Sequence, residues 1–149
     1  MNLFGTPLTN SGGSDIFLFG LTAAGDQTTP LLKQFGASAS SNEHAAGLSR
    51  DRSGNLFLAG SIVEAVNFGG GALLGNGTQD AFAAKLTASG AHTWSKRYGG
   101  AGNDHADGIA VDALGNAIVT GDYDQSLDFG SALLLSPGGT SAFVAKFGP

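Results

Sequence analysis

Asp51-Arg52-Ser53-Gly54-Asn55 returns as Asp112-Ala113-Leu114-Gly115-Asn116, 61 residues further on. The same offset joins Asn42-Glu43-His44-Ala45 to Asn103-Asp104-His105-Ala106, Gly47 to Gly108, Gly60 to Gly121 and Phe68-Gly69 to Phe129-Gly130. Agreement over this length is not chance, and an internal repeat decides architecture before any single residue does. Another segment occurs three times, as Asp15-Ile16-Phe17-Leu18-Phe19, Asp80-Ala81-Phe82-Ala83-Ala84-Lys85-Leu86 and Ser141-Ala142-Phe143-Val144-Ala145-Lys146-Phe147, which marks a third, incomplete unit. Within a unit the apolar runs are short or alternating, rich in β-formers and divided by glycine, so they predict strands; no stretch holds a helical period.

One unit contains four strands. Strand a runs from about Ala106 to Asp112 and turns at Asp112 to Asn116, where Gly115 supplies the positive φ of a tight hairpin. Strand b runs from about Asn116 to Asp122. A long connection carrying Phe129 and Leu133-Leu134-Leu135 leads to strand c, Ser141 to Phe147. Strand d is seen in the preceding unit as His92 to Tyr98, after the turn Ala88-Ser89-Gly90-Ala91. The chain therefore reads c-d, a-b-c-d, a-b-c. Its 149 residues form one repeat domain: a partial unit over 1–44 (c-d), a full one over 45–99 and a three-strand one over 100–149. Units of four antiparallel strands predict an all-β protein of β-propeller-type blades, about two and a quarter blades per chain.

The residues also carry a family resemblance. Gly108-Ile109-Ala110-Val111-Asp112 with Gly115-Asn116-Ala117-Ile118-Val119-Thr120-Gly121, then Asp128-Phe129-Gly130 and Ala142-Phe143-Val144-Ala145-Lys146-Phe147, resembles the bacterial β-propeller repeat called the SBBP repeat. Trp94-Ser95-Lys96 followed by Tyr98-Gly99-Gly100 fits the same pattern, which covers nearly all of residues 2–149; the inner strand and its turn are also similar to an NHL-type blade. The resemblance implies a fold and a setting, an extracellular or surface-associated bacterial scaffold, with no shared catalytic residues. Ala46-Gly47-Leu48-Ser49-Arg50, where an apolar strand a belongs, and a strand d without Trp depart from it.

Composition narrows the functions. Twenty-five glycines with four prolines and no Gly-X-Y period exclude collagen, and the absence of cysteine excludes disulfides and thiolate sites. A net charge of −5 opposes nucleic acid, whose affinity rests on cationic side chains. No apolar window is long enough for membrane insertion by a helix, and Met1-Asn2-Leu3-Phe4-Gly5 does not begin a signal peptide.

Turns a-b and c-d are short and fall on one face; the b-c connections, 62–79 and 123–140, and the d-a connections, 36–44 and 99–105, are long and fall on the other, where binding is expected. That face carries Glu43-His44 and Asp104-His105, either acid-polarised imidazoles or residues that tie strand a to its neighbours. Asp122, Tyr123 and Asp124, with Asp128, offer hard oxygen ligands without a calcium-loop motif, and no metal is expected. Trp94 aligns with Leu31, which predicts packing over sugar stacking. Gly69-Gly70-Gly71 lacks the lysine of a phosphate loop, so no cofactor is expected.

Two function classes follow. One is a non-catalytic scaffold or binding module, whose partner is a second copy of itself in a homo-oligomer or filament, another protein, or a glycan as in a lectin-like propeller. The other is a propeller hydrolase or lyase using the acid-His positions. The strand count favours assembly or a longer propeller, since completing the last unit with a first-unit strand d leaves residues 14–21 unpaired.

Overall fold

The computed structural model describes residues 2–3, 5–10, 12–36 and 41–149, so the d-a connection expected over 36–44 lies partly outside the described residues. Every element among them is a strand, and the sheets are antiparallel. β1 (Asn2–Leu3) pairs with β2 (Thr6–Pro7), and β3 (Ile16–Leu21) with β4 (Gln27–Phe35). β5 (Asn42–Arg50), β6 (Leu56–Val63), β9 (Asp80–Leu86) and β10 (His92–Tyr98) form a four-stranded sheet in the order β10-β9-β6-β5. β7 (Ala65–Asn67) and β8 (Ala72–Leu74) make a short hairpin between them, and β11 (Asp104–Val111), β12 (Ala117–Asp128) and β13 (Leu133–Phe147) form a three-stranded sheet. The c-d, a-b-c-d and a-b-c strands of the three units are thus present in the expected neighbour order. The first-unit strand d stays with its own strand c, since β4 pairs with β3; among the described residues no strand pairs with the other edge of β3.

The tight turns share one design. Asp51 N–H donates to the Asn55 carbonyl (3.0 Å), Gly54 N–H to the Asp51 carbonyl (3.0 Å), and the Asp51 carboxylate accepts from the Asn55 backbone and side chain, both at 2.8 Å. Asp112, Gly115 and Asn116 repeat the pattern, with φ of 88° at Gly54 and 83° at Gly115. In Thr22–Asp26 and Thr87–Ala91 a threonine hydroxyl takes the carboxylate's place.

The b-c connections are not the long loops expected. β12 continues to Asp128 and pairs back with β13 through Ser126 to Leu135, Leu127 to Leu134 and Asp128 to Leu133; β7 and β8 do the same in the second unit. Each connection is a paired arm. A bulge at its base redirects the strand, with Glu64 and Gln125, one repeat apart, both at positive φ (68° and 59°). The side-chain oxygens of Asn67 and Asp128 then tie each tip, accepting from Gly69 N–H (2.7 Å) and Gly130 N–H (2.6 Å).

The sheets stack face to face, and the two contacts between them are the same contact made twice. Ile16, Leu18 and Phe35 of the first unit pack on Leu56, Leu58, Phe82, Ala84 and Leu86 of the second. Ala81, Ala83 and Tyr98, which occupy the equivalent positions one unit on, pack with Val119 and Phe143, and against Ala145 and Phe147, of the third. Ring geometry repeats as well: Phe35 meets Phe68 at 5.0 Å and 52°, and Tyr98 meets Phe129 at 5.2 Å and 52°. A backbone bond crosses each seam, Glu43 N–H to the Ser14 carbonyl and Asp104 N–H to the Gln79 carbonyl, both 2.9 Å. Between β5 and β11 the backbones nearly touch: a Cβ on Gly47 would stand 2.9 Å from Ile109 N and 3.2 Å from Gly108 Cα.

Candidate functional site

Successive residues of a strand point to opposite faces, and this decides what the two acid-His pairs do. Glu43 and Asp104 turn inward and are buried; His44 is exposed and His105 half-buried on the other side. The acid therefore does not polarise its sequence neighbour. His105 instead sets Nδ1 2.8 Å from Asp122 Oδ1, its cross-strand partner, and Nε2 2.8 Å from Gln79 Oε1 of the preceding unit. Gln79 Nε2 in turn donates to Ser61 Oγ (2.7 Å). Ser61 occupies the repeat position of Asp122, so His44 faces a serine across its strand pair where His105 faces a carboxylate.

Asp122 and Asp124 share one face of β12, while Tyr123 between them points to the core and is buried. Asp124 accepts from Thr140 Oγ1 (2.8 Å) and, more weakly, from Asn103 Nδ2 (3.4 Å). Among the described residues no group of three His, Cys, Asp or Glu side chains is placed to hold a metal ion. The seven candidates thus divide into seam residues (Glu43, Asp104, Tyr123) and a surface network of the third unit (His105, Asp122, Asp124), with His44 apart.

The seams contain acids that the sequence reading did not single out as functional. Asp80 is fully buried; its Oδ2 accepts from Asn76 N–H (2.7 Å) and Gly77 N–H (3.2 Å), and its Oδ1 pairs with Arg97 Nη1 at 2.7 Å. Asp104, across the same seam, accepts from Gly100 N–H (2.8 Å) through Oδ2, while its buried Oδ1 meets no hydrogen-bond donor among the described residues. One unit earlier Asp15 and Glu43 repeat the arrangement, with Gln34 Nε2 donating to Asp15 in the place of Arg97. The signal was available: Asp15 and Asp80 head the segment that occurs three times.

Burial pushes the Asp104 carboxyl up, with the Gly100 N–H opposing and the Asp80 and Asp124 charges adding. Burial likewise pushes Glu43 up, with the Ser41 hydroxyl pulling the other way and the Asp15 charge adding. In the turns the sense reverses. The Asn55 amide holds Asp51 low, and the Asn116 amide followed by the Lys146 ammonium (2.8 Å) holds Asp112 low.

These shifts predict stability against pH. For Glu43 and Asp104 the folded chain binds the proton more tightly, so their cost is full above the raised values and is relieved as pH falls toward the ordinary carboxylate range near 4. For Asp51 and Asp112 the contribution is present above that range and is lost below it as the turn carboxylates protonate. Melting temperature should therefore rise on mild acidification from pH 7 and fall again below about pH 4. In the Glu43→Gln, Asp104→Asn double variant the rise should vanish while the acid fall remains; an unchanged rise would remove the seam acids as its source.

A cleft of about 380 Å³ lies between β10 and the end of β13, lined by Trp94, Lys96, Tyr98, Lys146, Phe147 and Pro149. Trp94 does pack, edge-on to Phe57 at 6.2 Å, yet it also borders this opening. No protein-family model matches the chain, and no curated protein is significantly similar to it.

Proposed function

We propose that this chain is a non-catalytic β-propeller repeat module of the SBBP type, a bacterial surface or extracellular scaffold whose blades hold out paired arms to a partner. The observation that carries this reading is the seam made twice with equivalent residues, the same ring geometry and the same cross-seam hydrogen bond. Units that bury their faces only against one another are what a repeat scaffold requires. The near contact of Gly47 with Gly108 supports radial order, since blades of a propeller come closest at their inner strands. Exposed leucines gather on the arms, Leu74 on one and Leu133, Leu134 and Leu135 on the other, which supports that side as the binding side.

The reading is tested by lengthening the chain. A second copy of residues 42–102, the 61-residue repeat, placed after residue 102 adds one more seam of the same kind. The longer chain should stay folded and melt at a higher temperature, as nearest-neighbour repeat energetics demands. A lengthened chain that unfolds, or melts no higher than the parent, overturns it. A glycan is the second reading, favoured by Trp94 beside Lys96 and Lys146 in the cleft. Trp94 is the sole tryptophan, so quenching of its fluorescence across a glycan panel decides that question directly.

A further inference from the structure

The seams give each complete unit two different faces, one that covers the next unit and one that is covered by the unit before. At the two ends of the described structure one of each is left open. In the second unit Ala83 is fully buried beneath the third; its repeat counterpart Val144 is 74% exposed, with Ala142 and Thr120 exposed beside it. At the other end Phe82, Ala84 and Leu86 are fully buried beneath the first unit, whereas their counterparts Phe17, Phe19 and Leu21 are half-buried, 37% exposed and 47% exposed. The open faces are therefore the two halves of a contact the chain already makes twice within itself.

At the second seam Ala81, Ala83 and Tyr98 of the covering face meet Val119, Phe143, Ala145 and Phe147 of the covered face. The open covering face offers Ala142 and Val144 at the repeat positions of Ala81 and Ala83, with Thr120 beside them, and the open covered face offers Phe17, Phe19 and Leu21 at those of Phe82, Ala84 and Leu86. We infer that the β13 face of one copy docks on the β3 face of a second copy, head to tail, reproducing the internal seam between molecules. The inference rests on the repeat reading above, and the covered face is incomplete there: among the described residues β3 has only β4 beside it, where β9 has β6 as well. The intermolecular contact is thus smaller than the internal ones, and a contact of this heterologous kind propagates unless it closes.

The test is sedimentation velocity on the full chain and on two variants, Val144→Glu on one face and Phe19→Glu on the other. Leu21→Glu serves as a second blocking variant of the β3 face if Phe19→Glu does not fold by circular dichroism. The parent chain should rise in mass from 14.8 kDa toward twice that and beyond as concentration increases from about 1 μM to about 1 mM. Each variant alone should remain at 14.8 kDa, and the two mixed should form a species of twice that mass and nothing larger, because each supplies the face the other has lost. A parent chain monomeric throughout, a variant that associates like the parent, or a mixture that stays monomeric overturns the inference. The lengthened chain keeps the two readings distinct: a higher melting temperature there with a monomeric parent removes the docking alone.

Discussion

Gly60→Ala should cost the fold at least about 3 kcal/mol, and Gly121→Ala should do the same, lowering the urea midpoint by about 1 to 2 M. A Cβ at Gly60 would overlap the His44 carbonyl oxygen across the β5–β6 pair; at Gly121 it would overlap the His105 carbonyl oxygen and crowd the Phe143 ring. What it meets is mainly backbone, fixed by the bulges that shift the register between Ala45 and Gly47 and between Ala106 and Gly108, so no rotamer change relieves it. Gly25→Ala is the control. That glycine sits at φ 88° with no heavy atom near its missing Cβ, so only the left-handed penalty of about 1 kcal/mol applies. A Gly60→Ala chain as stable as Gly25→Ala would mean that the bulged strand pair relaxes freely.

Phe82→Ala should cost about 3 to 5 kcal/mol, the range for emptying a large, fully enclosed core site. Phe82 is wholly buried and lies 4.9 Å from Phe68, which in turn meets Phe35 of the first unit, so its removal opens the first seam at its centre. The same substitution at the two repeat positions separates burial from residue type. Phe143, 6% exposed and edge-on to Phe129, should cost nearly as much; Phe17, on the open face of β3, should cost less than about 1 kcal/mol at dilution. Equal losses at all three positions would contradict the seams as described.

The all-β character and the order of strand pairing were legible because a repeat announces itself, and because the turns follow from particular side chains. Asp51 and Asp112 each set two acceptor oxygens against one asparagine, and Gly54 and Gly115 supply the backbone they require. The arms were less legible. Ser126 to Asp128 and Leu133 to Leu135 are too short to read as strands, and their pairing depends on the bulge at Gln125, a residue type that does not advertise a left-handed backbone. The Asn67 and Asp128 positions ahead of Phe-Gly were the available sign of a turn between paired segments.

At the candidate site His105 ties strand a to the preceding unit, one of the two alternatives the sequence offered, and the adjacent acid does not polarise it. Asp104 and His105 adjoin in the chain but part company in space, and the imidazole finds Asp122 and Gln79, the second from another unit. Contacts between units depend on how sheets stack, which no local pattern encodes. The acids Asp15 and Asp80 were visible as the first letters of a recurring segment, but the full burial of Asp80 follows only from the sheet that covers it.

That the arms are hydrogen-bonded hairpins, each springing from its own unit, has a consequence for avidity. Two binding tips joined by a slack tether find a second epitope at a rate set by tether length, and lose entropy in doing so. Here the spacing of the tips is fixed by the rigid sheets beneath them before anything binds. On the reading of the arms proposed above, a ligand displaying two like sites at that spacing would be gripped as by a chelate, and one with sites nearer or farther apart would gain nothing from the second arm.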